Sequence, residues 1–252
     1  MRRKKLWVWL FLAAILSIVS GCGAKTVRRT AVQSEERQFA APAKGDLIAV
    51  FTTSMGEIRA VLYPDAAPMA VQNFVGLART GYYDGTLIWQ VQSGFAVQGG
   101  DPSGTGTGGG TIWSNNPYPL EASDSLRHYA GALCAAFSAQ GGTGQFYFVA
   151  ALPDSVGKAR RQELTENGYP ESQAEAYAAA GGLPYLDNTD TVFGQVYEGM
   201  AVVDAMAAAE TAKDENGQPT TRPAEEIVVQ HVLITTYPGP TAAELAEQYA
   251  LQ

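Results

Sequence analysis

Residues capable of nucleophilic or metal chemistry are scarce in this sequence. It contains two cysteines, Cys22 and Cys134, and two histidines, His128 and His231. One spare thiol and two widely separated imidazoles do not match the close ligand spacings of a zinc site. Cys134 lies in the apolar run 132–137, which predicts a buried, inert thiol rather than a nucleophile. The sequence therefore predicts no metal site.

A glycine-rich stretch at 103–110 contains the spacing G-x-G-x-x-G between Gly104 and Gly109. That spacing binds dinucleotides when a strand precedes it and a helix follows it. The segment that follows here, 111–120, contains two prolines and cannot open a helix. A surface loop is therefore favoured over a phosphate cradle, and the glycines at 141–144 are likewise interpreted as a turn.

Aromatic, glycine and glutamine residues form a series of blocks along the chain. In order they are GYYDGT at 81–86, GFAVQGGDP at 94–102, GAL at 131–133, GQFYF at 144–148, YLD at 185–187, TVFGQV at 191–196 and EGM at 198–200. Their order and spacing, from about Leu47 to Ile234, resemble the cyclophilin family of peptidyl-prolyl cis-trans isomerases. The resemblance implies a closed eight-stranded antiparallel barrel capped by two helices. It also implies cis-trans isomerisation of X-Pro bonds without a cofactor.

The resemblance assigns roles to residues within and beside these blocks. The implied apolar pocket for the proline ring consists of Phe95, Ala96, Tyr147 and Leu186. The residues implied to orient or bind the substrate main chain are Gln98, Gln145, Ala136 and Phe137. Ordinary core packing is the alternative for each aromatic residue, and the position within the family blocks favours the pocket.

Several positions depart from the family pattern. The family segment usually reads Phe-His-Arg-Val, and its arginine donates a hydrogen bond to the proline nitrogen, whereas this chain reads IWQV at 88–91 and places Gln90 there. A neutral amide is a weaker donor than a guanidinium. Phe137 stands where the family usually has Asn, Tyr185 where many members have Trp, and Asp190 where many have His. The implied site thus keeps its pocket, with Gln90 and Gln98 as the candidate catalytic residues and Tyr185 and Asp190 at the substrate.

Such a site needs little conventional catalytic machinery. Rotation about an X-Pro bond meets a barrier of about 20 kcal/mol because amide resonance must be broken. In the twisted transition state the proline nitrogen regains a lone pair, which a hydrogen-bond donor can stabilise. Aromatic walls, glutamines and one donor are therefore sufficient.

The patterning along the chain predicts the elements that would carry this site. Short β-rich runs are predicted at 47–53, 57–63, 87–91, 95–98, 131–136, 146–151, 192–196 and 227–235. Helical spacing or composition is predicted at 67–80 and 199–209. Many short strands with two helices favour a closed barrel, because closure removes exposed edges. A charged, alanine-bearing insertion at about 153–184 is expected to be partly helical.

The N-terminus of the chain indicates export. A basic run at 2–5 and an apolar stretch at 6–19 predict a signal peptide over 1–21. The end of that stretch, VSGC at 19–22, resembles a bacterial lipobox and predicts lipid attachment at Cys22; an ordinary signal peptide with a chance cysteine is the alternative. Residues 22–45 are expected to be a flexible tether, 46–237 the folded domain, and 238–252 a tail with one possible short helix.

The net charge of the chain bears on which kinds of partner it binds. The net charge of the whole chain is −8, which disfavours nucleic acid. The resemblance to cyclophilins implies proline-containing segments of exported proteins as partners, and the lipobox motif implies an anchor on the extracytoplasmic face of the cell membrane. We expect a monomer. Two functions remain open at this point: an isomerase with weakened catalysis that assists folding, and a non-catalytic chaperone or scaffold module that binds proline peptides.

Overall fold

The computed structural model describes residues 27–239. The predicted signal peptide, Cys22 and the possible helix of the C-terminal tail lie outside the described residues. Within them, no helix is long and apolar enough to cross a membrane.

Eleven strands make up most of the regular structure. They are β1 (Leu47–Thr53), β2 (Gly56–Leu62), β3 (Thr86–Ile88), β4 (Gln90–Gln92), β5 (Ala96–Gly99), β6 (Ala132–Ser138), β7 (Gly141–Val149), β8 (Thr191–Glu198), β9 (Thr211–Lys213), β10 (Pro219–Pro223) and β11 (Ile227–Thr236). Nine of them form one antiparallel sheet in the order β3-β11-β1-β2-β8-β6-β7-β5-β4. The other two, β9 and β10, form a small exposed hairpin that the sequence pattern did not predict.

The sheet closes on itself at Trp89. This single residue separates β3, which pairs with β11, from β4, which pairs with β5. The Trp89 amide donates to the Gln98 carbonyl oxygen at 3.0 Å, so the backbone continues from one edge of the sheet to the other. β3 and β4 together act as one interrupted strand of the barrel. The nine strands of the sheet therefore form a barrel of eight strands. The predicted closed eight-stranded antiparallel barrel is confirmed.

Aromatic side chains fill the barrel interior. Phe51 lies at its centre, with ring centroids 5.1 Å from Phe148 and 5.3 Å from Phe146. Strand register explains this placement, since Val97 and Leu133 both lie directly opposite Phe148 and therefore share its face. Residues that alternate with these point outwards, and on strands β4 to β7 they carry the candidate site.

Two helices cap the barrel, as expected. Helix α1 (Pro68–Arg79) begins with proline at its first turn, where no amide hydrogen is needed. The carboxylate of Glu121 accepts hydrogen bonds from the amides of Met69 and Ala70 at 2.9 and 2.8 Å and so caps the helix from a distant loop. The second capping helix is Met200–Ala207 and follows Gly199, where a Cβ would lie 2.3 Å from a backbone oxygen of Glu57.

The insertion between β7 and β8 contains two further helices. They are α2 (Lys158–Glu166) and α3 (Glu171–Ala180), and the capping helix Met200–Ala207 is therefore α4. The insertion forms a small apolar cluster of its own, in which Leu164 and Tyr177 pack with Tyr129 of the barrel domain. The predicted partly helical insertion is thus present, and it packs against the outside of the barrel.

The described part of the predicted tether, 27–45, differs from the flexible segment that its composition suggested. Gln38 is buried and donates to the Arg127 carbonyl oxygen at 2.9 Å and to Gln195 Oε1 at 2.8 Å. Arg29 forms an ion pair with Asp204 on α4 at 2.7 Å. A few specific polar contacts hold the segment against the barrel, and composition alone does not reveal such contacts.

Candidate functional site

A row of side chains crosses the outer face of four neighbouring strands. Gln90 on β4 lies opposite Gln98 on β5, Gln98 lies opposite Tyr147 on β7, and Tyr147 lies opposite Cys134 on β6. Directly opposed residues of antiparallel strands share one face of the sheet. The register therefore places the candidate donor Gln90 two strands from the Tyr147 ring.

An apolar surface surrounds Tyr147. One apolar cluster outside the barrel core contains the four predicted pocket residues, Phe95, Ala96, Tyr147 and Leu186. It also contains Ala136, which was predicted to bind the substrate main chain. Ala96 and Tyr147 are buried, and we call them the floor of the candidate pocket. Phe95 and Leu186 are partly buried, and we call them its sides. The structure thus places these five residues in the same cluster, which extends to residues of β2 and β8.

Three predicted substrate residues lie at or beyond the edge of this cluster. The Tyr185 side chain is 56% exposed and extends into solvent. The Phe137 ring packs against Tyr118, with centroids 5.7 Å apart, and faces away from the cluster. Asp190 borders the cluster and accepts a hydrogen bond from the Tyr147 hydroxyl at 2.8 Å.

The backbone at Ala136 has an unusual position. The ladder between β6 and β7 is irregular between Ala135 and Phe137, and Ala136 has no register partner on β7. The pairing of β6 with β8 ends at Ala135. Ala136 therefore has no register partner in either ladder, which makes its backbone the point on β6 where an extended peptide could pair.

The polar side of the site is held by a chain of amides. Gln98 Nε2 donates to Gln145 Oε1 at 3.1 Å. Gln145 Nε2 in turn donates to the carbonyl oxygens of Gly106, at 3.1 Å, and Gly108. These bonds leave the side-chain oxygen of Gln98 as an acceptor for a substrate N–H.

The glycine-rich loop is folded around a carboxylate. Asp101, which is fully buried, accepts hydrogen bonds from the amides of Ser103, Gly106 and Gly108 at 2.8, 2.7 and 3.0 Å. Burial disfavours the ionised form of Asp101, but the bonds from Ser103 and the loop amides outweigh burial and lower its pKa. The loop amides that could bind a phosphate already donate hydrogen bonds to the carboxylate of Asp101.

Gln90 itself is half-buried on β4. Within residues 27–239 its side chain makes no hydrogen bond, in contrast to Gln98 and Gln145. Its NH2 group is therefore available as a donor at the edge of the pocket. A primary amide can supply one such bond but carries no charge.

The thiol of Cys134 lies in the protein interior. Cys134 is fully buried beneath Tyr147, and burial raises the pKa of its thiol well above the ordinary value, which confirms the inert thiol. Among residues 27–239, no group of three or more His, Cys, Asp or Glu side chains could hold a metal ion.

A buried polar pair behind the pocket was not anticipated. The His128 ring lies nearly parallel to Tyr147, with centroids 6.3 Å apart, and its Nδ1 donates to Asp187 Oδ1 at 2.8 Å. Asp187 belongs to the block YLD, but its partners are distant in sequence. Only the fold could reveal this contact.

Asp190 provides a test of the electrostatics of the site. Burial raises the pKa of Asp190, and the Tyr147 hydrogen bond opposes that rise only in part. Folding therefore favours the protonated form, and the stability associated with it is present at low pH and is lost as pH rises through the raised pKa. We expect Asp190→Asn, which cannot ionise, to melt a few degrees above the wild type at pH 7.

Thermal unfolding monitored by circular dichroism between pH 3 and pH 8 would measure this difference. The two melting temperatures should converge below about pH 4, where an unfolded aspartate is also protonated. A gap of constant size across the range, or a less stable variant at pH 7, would show that ionised Asp190 is not disfavoured in the folded state.

A family model and two bacterial relatives match most of this chain. The family model described as cyclophilin type peptidyl-prolyl cis-trans isomerase/CLD matches residues 48–234. A Staphylococcus haemolyticus protein with the provisional name peptidyl-prolyl cis-trans isomerase is 35% identical over 180 residues, which cover 71% of this chain and 87% of the relative. A protein of the same provisional name from Staphylococcus aureus is 32% identical, covering 75% of this chain and 92% of the relative.

A longer relative and a solved structure extend the comparison. A Streptococcus pyogenes protein, provisionally named a bifunctional phosphatase/peptidyl-prolyl cis-trans isomerase, is 37% identical over 71% of this chain, which spans only 37% of that protein. The crystal structure of a Cryptosporidium parvum cyclophilin type peptidyl-prolyl cis-trans isomerase superposes with a TM-score of 0.57 at 23% identity, covering 77% of this chain and 99% of that one. The same parasite protein was also crystallised in the presence of the dipeptide Ala-Pro, and that structure superposes with a TM-score of 0.56. These structural matches show the barrel fold.

Proposed function

The chain belongs to the cyclophilin-type peptidyl-prolyl cis-trans isomerase family, and from that membership we propose that it isomerises X-Pro bonds more slowly than members with arginine at the position of Gln90. The observation that carries the proposal is the cross-strand row Gln90, Gln98 and Tyr147, which ends in the apolar cluster of Phe95 and Leu186. A proline ring fits the apolar end, and polar groups flank its peptide bond.

The proposed mechanism follows from the order of these groups. The proline ring packs between Phe95, Tyr147 and Leu186, which removes its apolar surface from water. The substrate backbone pairs with Ala136 and with the free acceptor of Gln98. Because the pocket holds the ring, rotation about the X-Pro bond moves the preceding carbonyl while the nitrogen stays near the Gln90 amide.

Gln90 is the weak point of this arrangement. A pre-placed donor that binds only the transition state typically contributes a factor of about 100 to 1,000 in rate. A neutral amide supplies part of that stabilisation, whereas a guanidinium donates from a charged, rigid fork. Binding in the ground state depends on the apolar pocket and would be little affected.

The substrates are proposed to be exposed, proline-containing segments of other polypeptides. The structurally similar parasite cyclophilin was crystallised in the presence of Ala-Pro, and the cluster around Tyr147 in this chain is apolar. A protease-free isomerisation assay on an Ala-Pro peptide tests the proposal. Acceleration above the spontaneous rate that saturates with peptide supports it, and no acceleration at saturating protein contradicts it.

A non-catalytic module for binding proline peptides is the second candidate. It is favoured by Gln90, which lacks the charge of an arginine, and by Asp190, whose carboxylate borders the pocket. Such a module would act as a chaperone or scaffold, and peptide binding without acceleration of isomerisation would identify it.

The proposed location is the extracytoplasmic face of the cell membrane, with a lipid on Cys22 and exported proteins as clients. The motif VSGC at 19–22 supports this assignment. Only residues 23–28 separate Cys22 from Arg29, which is docked on α4, and six residues span at most about 20 Å. The barrel would then lie close to the membrane surface and not at the end of a long tether.

Substitution of Cys22 tests the anchor. In a bacterial host that lipidates such motifs, Cys22→Ser is expected to abolish labelling by radioactive palmitate and to leave the signal peptide uncleaved by lipoprotein signal peptidase. Cys134→Ser is the matched control, since its thiol is buried in the barrel domain, and it should label like the wild type. Continued labelling of Cys22→Ser would rule out this anchor.

A further inference from the structure

The carboxylate of Asp187 collects four hydrogen bonds in the protein interior. Its side chain is 1% exposed. Oδ1 accepts from the backbone amide of His128 at 3.0 Å and from His128 Nδ1 at 2.8 Å. Oδ2 accepts from the hydroxyls of Tyr177 and Tyr169 at 2.7 and 2.9 Å. A buried carboxylate requires such partners, so these contacts determine where Asp187 lies.

Two of the four donors come from the insertion between β7 and β8. Tyr177 lies on α3 and is fully buried, and Tyr169 lies in the connection between α2 and α3. Burial raises the pKa of Tyr169 to about 12 and that of Tyr177 well above its ordinary value. Both hydroxyls therefore stay protonated and donate throughout the neutral range.

The insertion also holds the segment that leads to His128. Gln173 on α3 accepts from Arg127 Nε at 2.9 Å and donates to the Asp124 carbonyl oxygen at 2.9 Å. The Arg127 guanidinium lies over the Tyr169 ring, 5.3 Å from its centroid. The insertion therefore contacts the segment 124–127, which leads to His128, as well as the buried carboxylate of Asp187 itself.

The opposite side of this network touches the proline pocket. Asp187 directly follows Leu186, a side of the pocket, and precedes Asp190 by three residues. Its partner His128 lies parallel to Tyr147, the floor of the pocket. A shift of Asp187 would therefore be transmitted to one side of the pocket through the backbone and to its floor through His128.

We propose that the insertion positions the proline pocket, with Tyr169 and Tyr177 acting through Asp187 as positioning residues. The catalytic part of this inference rests on the proposed isomerase function, while the effect on the pocket does not. The insertion would thereby hold Leu186 in position through Asp187, the next residue in the chain. Loss of its hydroxyls should weaken substrate binding more than it slows the chemical step, because Gln90 lies on β4, away from the network.

The experiment compares Tyr169→Phe, Tyr177→Phe and the double variant with Tyr129→Phe. Tyr129 is the matched control: its ring packs 4.5 Å from that of Tyr177, but its buried hydroxyl has no hydrogen-bond partner within residues 27–239. For each folded variant, the Leu186 methyl resonances, the Kd of an Ala-Pro peptide, and KM and kcat are measured well below the melting temperature.

We expect the double variant to shift the Leu186 methyl resonances and to raise Kd and KM three- to tenfold, with kcat within twofold of wild type. Tyr129→Phe should change none of these quantities. If the double variant does not fold, Tyr169→Phe, whose hydroxyl lies nearer the surface, provides the same comparison with a smaller effect.

Two outcomes separate this inference from the proposed function. Unchanged Leu186 resonances and Kd in a folded double variant would overturn the positioning role, whatever the activity. A wild type that accelerates no isomerisation, combined with shifted resonances and weakened peptide binding in the double variant, would refute the isomerase and support the positioning role.

Discussion

Replacement of Gln90 by arginine is expected to raise kcat/KM by about a hundredfold. The structure allows the change, since Gln90 is half-buried at the edge of the pocket and gives up no side-chain hydrogen bond within residues 27–239. Its neighbour Gln98 is already fixed by Gln145 and can flank the longer side chain. The gain should appear mainly in kcat, because the new charge stabilises a lone pair that develops only in the twisted transition state.

Gln230→Arg is the matched control for added charge. Gln230 is exposed on β11, which pairs with β1 and β3 and not with the strands β4 to β7 that carry the site. It should leave kcat/KM within about twofold of wild type. Equal rates for wild type and Gln90→Arg, at the level of arginine-bearing cyclophilins, would show that this position does not limit the reaction.

Truncation of Phe95 is expected to raise KM and the Kd of a proline peptide roughly tenfold. Phe95 forms one side of the apolar cluster, and removal of a partly buried aromatic side forfeits about 1–2 kcal/mol of apolar contact with the proline ring. The free energy of unfolding should change less than for a core phenylalanine such as Phe51, because Phe95 lies outside the barrel interior.

Calorimetric titration and steady-state kinetics on Phe95→Ala would measure both effects. Tyr237→Ala serves as the control, since Tyr237 is also partly buried and packs on Tyr197, with centroids 5.9 Å apart, but is not itself a member of the apolar cluster that contains Phe95. Unchanged KM and Kd in Phe95→Ala would mean that the proline ring binds elsewhere.

The barrel and the pocket were accessible from the sequence for identifiable reasons. Short β-rich runs bounded by turn residues predict the strands, and the motif blocks around Phe95, Gln98 and Tyr147 fall on strands whose register brings them together. The interruption at Trp89, which separates β3 from β4, leaves the predicted run 87–91 in place because both halves keep one strand direction.

Other features depended on contacts that no local pattern encodes. Gln38 contacts Gln195, which lies 157 positions further along the chain. The packing of residues 27–45 was therefore not predicted, and the segment was interpreted as a flexible tether. Tyr177 and His128 approach Asp187 from different segments, and a buried carboxylate cannot be recognised from composition. The β9–β10 hairpin is polar and largely exposed, so it lacks the alternation that predicts a strand.

Two-dimensional exchange NMR on an Ala-Pro peptide with substoichiometric protein tests most directly whether this groove isomerises proline bonds. Uncatalysed exchange takes tens of seconds or longer at 25 °C. We predict exchange cross-peaks between the cis and trans resonances with the wild type, stronger ones with Gln90→Arg, and a marked loss with Phe95→Ala. Peptide shifts that report binding, with exchange at the uncatalysed rate in both the wild type and Gln90→Arg, would contradict this account and identify a proline-binding module without isomerase activity.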